Sequence, residues 1–193
     1  MLLRRVMPNL RPVGLAILTG LLACGCATVP LNSARHNFYA GRLDRAEGAL
    51  TNAVILEKDQ VLFLMERGMI RQAEGKYEES AQDFIKASDW IDKFETYSLS
   101  KGASSWVVND NVENFRGTPY ERTLLHAFTA KDHLAIGAWD NAAVESRRII
   151  KSLDPNVRGN YPEDAYSRYM AGFGLEMIDD DSNAELQYKE ANR

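Results

Sequence analysis

From about residue 32 to the last residue, apolar side chains recur at spacings of three and four, the period of helices that bury one face. One short pattern punctuates them. "GRLDRAEGALTNA" (41–53), "GKYEESAQDFIKA" (75–87) and "GAWDNAAVESRRI" (137–149) share Gly-x-(Leu/Tyr/Trp)-acid-x-(Ala/Ser). Gly41 and Gly75 are 34 positions apart, which pairs Leu43 with Tyr77, Ala46 with Ser80, Leu50 with Phe84 and Ala53 with Ala87. Each residue type has a packing reason. The glycine ends one helix at a turn, the small residue lets two helices approach, and the large one a turn later fills the groove between them.

A helix–turn–helix unit with this period resembles the tetratricopeptide repeat. The expected fold is all-α: a tetratricopeptide-like solenoid of about three and a half to four repeats with an insertion. Its units fall at about 32–60, 61–94, 119–153 and 163–193. The second is the best match, with Leu64, Gly68, Gly75, Tyr77, Ser80, Phe84 and Ala87 all in register. In the first, Pro30 is expected to prevent an early start, so its first helix should run from Asn32 or Ser33 to Ala40. In the fourth, Gly172, Ala184, Tyr188 and Ala191 keep the spacing while Asp179 replaces the turn glycine.

Two stretches break the period. Residues 95–118, rich in Ser, Asn and Gly around an apolar "WVV", read as an insertion lying on the solenoid. "PNVRGNYP" (155–162) reads as a Pro-bounded linker. "TPYE" (118–121) joins a capping box to a proline at the first helical position and predicts a helix start. The sequence stops at Arg193 without a polar capping helix, so either an oligomer covers the last apolar face or the chain is a truncated relative of something longer.

The first 23 residues differ from the rest. Arg4, Arg5 and Arg11 precede an apolar run, Val13–Ala23, too short to span a membrane as a mature helix; this is the layout of a secretory signal. The chain's two cysteines, Cys24 and Cys26, follow it, leaving none in the body for a disulfide or a thiol nucleophile. "LLAC" (21–24) resembles a bacterial lipobox, which implies cleavage before Cys24, a diacylglycerol and an N-acyl chain on that cysteine, and a short tether at 24–31. Cys26 is the alternative attachment site, and an ordinary cleaved signal is the plainer reading. Gly25 is not the Asp that favours inner-membrane retention, which implies the periplasmic face of the outer membrane. Removing residues 1–23 takes three Arg from a formal charge of −4 and leaves −7. So acidic a body gives no support to nucleic-acid binding or to adhesion on anionic lipid.

No catalytic or cofactor motif occurs. His126 and His133 lie two helical turns apart, ~10 Å, too far to share one metal. What remains is a surface. In tetratricopeptide solenoids the first helix of each pair lines a concave groove, and the resemblance assigns Leu62, Met65, Met69 and Gln72 to it from unit two. It assigns Leu124, Ala127, Lys131 and Leu134 from unit three, and Tyr166, Tyr169, Phe173 and Glu176 from unit four. Methionine and aromatic side chains suit an adaptable peptide-binding surface; the alternative is that they form core. "FRGTPYERTLLHAFTAKDHLAIGAWDNAAVESRR" (115–148) also resembles the signature of an uncharacterised group of envelope lipoproteins. The expectation is a lipid-anchored scaffold that binds envelope proteins during envelope assembly or cell-wall synthesis. The alternatives are a pilotin or outer-membrane-protein assembly subunit and, more remotely, a cell-wall hydrolase using Glu121 or Asp110.

Overall fold

The computed structural model describes residues 28–100 and 114–193. Among them the secondary structure is helical, with nine α-helices and no strand. The first four are α1 (Thr28–Tyr39), α2 (Leu43–Thr51), α3 (Gln60–Ala73) and α4 (Tyr77–Ser100), with a 3₁₀ turn at Glu57–Asp59. Then follow α5 (Pro119–Ala135), α6 (Trp139–Ser152), the short α7 (Pro155–Arg158), α8 (Ala165–Glu176) and α9 (Asp181–Ala191). Helices α1/α2, α3/α4, α5/α6 and α8/α9 form four hairpins, and the second helix of each packs on the first helix of the next.

The four hairpin turns share one hydrogen-bond pattern. Gly41, Gly75 and Gly137 have φ of +71°, +77° and +74°, and Asp179 takes the same left-handed place at +59°. In each turn the next residue's N–H donates to the carbonyl five positions back: Arg42 to Asn37 (2.9 Å), Lys76 to Arg71 (2.9 Å), Ala138 to His133 (2.8 Å) and Asp180 to Leu175 (3.1 Å). That bond closes a Schellman turn and satisfies a carbonyl the helix would otherwise leave open. The recurrent glycine of the sequence is thus the left-handed residue of a recurrent turn.

The small–large alternation becomes packing. A Cβ on Gly68 would lie 2.6 Å from the Phe84 ring, and one on Gly172 would lie 2.7 Å from the Tyr188 ring. Both hairpins therefore close ring against backbone. Ala46, Ser80, Ala142 and Ala184, the small residues of the motif, are all buried, as are Leu50, Phe84 and Ala87. Burying a side chain the size of Phe84 contributes about 2–3 kcal/mol.

Three boundaries differ from the sequence-based expectations. Helix α1 starts at Thr28, not at Asn32 or Ser33. Pro30 sits in its first turn, where a backbone N–H would have had no partner within the helix, so the ring costs nothing there. Helix α4 runs to Ser100, so the interruption expected from residue 95 does not begin there. Trp90, Ile91 and Phe94 pack onto the core cluster of the first two hairpins and carry the helix past the unit boundary expected at 94. The expected linker 155–162 contains α7, entered through Asp154, whose side chain accepts the Asn156 N–H at 2.8 Å.

Helix α5 starts where the capping box placed it. Thr118 caps it, with the Glu121 N–H donating to Thr118 Oγ1 (3.3 Å) and the Thr118 N–H donating to Glu121 Oε2 (2.7 Å). Glu121, one of the two hydrolase candidates, uses its Oε2 in that contact and also lines a cleft between α1 and α3. The other, Asp110, lies outside the described residues, as do Cys24, Cys26 and the "WVV" stretch. No helix among the described residues is long and apolar enough to cross a membrane.

Candidate functional site

Two clefts open on the first helices of the hairpins. One lies between α1 and α3, with a volume of about 240 Å3, and its wall is nearly all apolar. Leu62, Met65 and Met69 point into it from α3, which brings three expected groove residues together. Phe38 and Tyr39 close it from the last turn of α1, and Phe115 joins them, held by its N–H donating to the Lys58 carbonyl (2.9 Å). On its rim Arg35 donates both Nε and Nη2 to Glu66 Oε1. Glu66 Oε2 is buried without a partner, and burial pushes that carboxyl above its ordinary range.

The second cleft is about 690 Å3 and lies between α8 and α9. Tyr166, Tyr169 and Glu176 contribute from α8 and Tyr188 from α9. The rings touch: Tyr169 and Tyr188 centroids are 5.4 Å apart, and Tyr169 and Phe173 are 6.4 Å apart. Tyr169 is 53% exposed and Tyr166 38%. The Tyr188 hydroxyl donates to Glu176 Oε2 at 2.5 Å. Burial, then that carboxylate, raise its pKa, so it stays a neutral donor at physiological pH.

Between the clefts α5 behaves differently from the expectation. Ala127 is fully buried and belongs to the second core cluster, against which Leu134 also packs. Leu124 is half-buried and Lys131 exposed, and neither lines a cleft described above. Lys131 Nζ instead donates to Gln72 Oε1 (2.9 Å). Gln72 is buried, and its amide donates to Asp132 Oδ1 (2.8 Å) and the Phe128 carbonyl (3.2 Å). Two residues assigned to the groove thus tie α3 to α5. Asp132 is fully buried with Oδ2 unpartnered, and burial pushes its pKa up to about 6 against hydrogen bonding and the Lys131 charge.

Glu145 is the centre of a buried polar cluster on α5 and α6. His126 Nδ1 lies 2.8 Å from Glu145 Oε2, and Arg148 holds the other oxygen of that buried carboxylate at 2.9 Å. His133 is buried and burial lowers its pKa, while Glu145 opposes the shift. No protein-family model matches the chain, and no curated protein matches its sequence.

The sequence-level reading missed Phe38, Tyr39, Phe115 and Tyr188 as cleft residues. Phe38 and Tyr39 were legible in principle, since they precede the first turn glycine at the position of a last helical turn. Phe115 was not, because it reaches the cleft through tertiary contact from a non-helical segment.

Proposed function

We propose that this chain is a tetratricopeptide-like scaffold that binds envelope proteins, anchored through an acylated Cys24 on the periplasmic face of the outer membrane. The observation that carries the reading is the pair of clefts: half-buried methionines and exposed tyrosines gathered on the first helices of two hairpins, one lined by Met65 and Met69, the other by Tyr166 and Tyr169. Adaptable apolar surfaces of this kind suit the docking of peptide segments. The tetratricopeptide relation is supported by the 34-residue spacing of Gly41 and Gly75 and by the four turns of one type. Anchorage is supported by the apolar run followed by "LLAC". Only four steps separate Cys24 from Thr28, so the tether spans at most ~14 Å and would hold the helices against the bilayer surface. The reading assigns binding rather than catalysis, in envelope assembly or cell-wall synthesis.

The test is affinity purification of the full chain from detergent-solubilised membranes, with quantitative mass spectrometry. Wild type is compared with Met69→Lys and Tyr169→Ala, each confirmed as folded by circular dichroism. The expected result is a discrete co-purifying envelope protein depleted by at least one variant. A partner set that neither variant changes would overturn the reading.

A further inference from the structure

The last hairpin concentrates the protein's negative charge. Residues 163–193 hold eight acids and three bases, a net −5, whereas the whole chain is −4. All three bases are already engaged. Arg168 meets Glu163 (3.3 Å) and Gln187 (2.7 Å), Lys189 meets Glu185 (2.6 Å), and Arg193 meets Glu190 (2.8 Å). Among the described residues, Asp164, Glu176, Asp179, Asp180 and Asp181 are left without a counter-cation. Of these acids Glu176 lines the cleft of three tyrosine rings and Asp164 acts on Tyr166 at its edge, and none of the cleft's lining residues is basic.

We propose that this tyrosine cleft docks a cationic, arginine-bearing peptide segment of a partner protein. The proposal rests on the scaffold reading above and names the chemistry of one of its partners. The rings of Tyr166, Tyr169 and Tyr188 offer faces on which a guanidinium stacks, a contact worth ~0.5–2 kcal/mol depending on desolvation. Glu176 supplies the carboxylate. Its Oε2 is fixed by the Tyr188 hydroxyl, which leaves Oε1 for a donor from the ligand. A guanidinium bound there would stack and donate at once, which a lysine ammonium does less well. A second copy of the chain is the poorer occupant, because a two-fold contact through this face would set −5 against −5.

The test uses the full chain in detergent micelles and fluorescence anisotropy with a labelled twelve-residue peptide of alternating Arg and Gly. Its counterpart with citrulline in place of Arg has the same shape without the charge. The Arg peptide is expected to bind with a salt-dependent Kd and the citrulline peptide about tenfold more weakly. Tyr169→Leu and Glu176→Gln should each weaken binding roughly threefold to tenfold, while Tyr169→Phe, which keeps the ring, stays within about twofold of wild type. Asp181→Asn makes the same charge change outside the cleft and should also stay within about twofold. Equal affinity for the two peptides would overturn the proposal, as would wild-type binding by Tyr169→Leu. So would an equal loss in Asp181→Asn and Glu176→Gln, which would assign the binding to diffuse charge. Sedimentation showing a dimer that Tyr169→Leu dissolves would assign the face to a second copy and overturn it too. If the Arg peptide fails while Met69→Lys still depletes a membrane partner, this inference falls and the scaffold reading stands.

Discussion

The two ends of the chain solve the same packing problem with different chemistry. Between the first two hairpins the interface is bridged by charge. Arg71 of α3 donates to Glu47 of α2 at 3.1 Å, and from within the second hairpin Asp83 of α4, 1% exposed, holds Arg71 at 2.8 Å and Arg67 at 2.6 and 2.8 Å. Lys76 adds a second cation on Glu47 at 2.5 Å. Between the last two hairpins the contact is close backbone. Gly174 lies where a Cβ would meet Ser146 Oγ at 2.2 Å and the Ala142 carbonyl oxygen at 3.1 Å. The clefts differ as well: the first is largely apolar with Arg35 paired to Glu66 on its rim, the second is tyrosine-lined with Glu176 at its wall. An interface bridged by ion pairs engages its charges, whereas one made by small residues does not call on them.

Removing the centre of the charged network should have the largest effect. Asp83→Ala leaves two guanidinium groups without their shared acceptor and is expected to cost about 3 kcal/mol in chemical denaturation. A loss under about 1 kcal/mol would mean that apolar contacts, not charge, hold α3 against α4 and position Arg71 for Glu47.

Next comes Gly174→Ala. Ser146 is fully buried with its hydroxyl donating to the Ala142 carbonyl (2.9 Å), and the Ala142 backbone cannot move aside, so overpacking should cost about 2 kcal/mol net of the gain in helix propensity. Gly48, with nothing within 4 Å of a Cβ, is the control: Gly48→Ala should stabilise by about 0.5–1 kcal/mol. Equal responses at the two positions would remove the claim of close backbone approach.

Asp132 sharpens the comparison through pH, because it is the charge that the α3–α5 junction buries without an arginine. Its folded pKa, about 6, lies above the unfolded value. Folding therefore favours the protonated form, and this stabilisation is complete below pH ~4 and is lost as pH rises through 6. Asp132→Asn keeps the acceptor for Gln72 and removes the titration. It should raise stability at pH 8 by on the order of 2 kcal/mol and flatten the change in Tm between pH 4 and 7. An unaltered pH profile would show that another group titrates.

The smallest effect belongs to the fourth turn. Asp179→Gly relieves a left-handed backbone carrying a side chain and should add about 0.5–1 kcal/mol. Thermal unfolding that leaves Tm unchanged or lowered would mean the side chain compensates.

The hairpins were legible in the sequence because their turns are built from one local rule. A left-handed residue, a small residue and a large one recur at fixed offsets, and even Asp179 could be placed by register. Helix ends were less legible where packing overrides propensity: Ile91 and Phe94 are buried, so α4 runs past the expected boundary. The site was half legible. Met65, Met69, Tyr166 and Tyr169 come to the clefts as helical spacing requires. Gln72 and Lys131 share the same spacing, yet a hydrogen bond across 59 positions draws them to each other. Periodicity reports which face a residue occupies, not what the neighbouring hairpin brings to that face.

The most direct test of the central claim, that the clefts are working surfaces, is site-specific photocrosslinking in native membranes. Met69 and Tyr169 report on the two clefts, and Val144, exposed on α6, is the control. The account requires discrete adducts to another protein from at least one cleft position and none from Val144. Adducts confined to the chain itself at both cleft positions would mean that these side chains are core, and would contradict the claim.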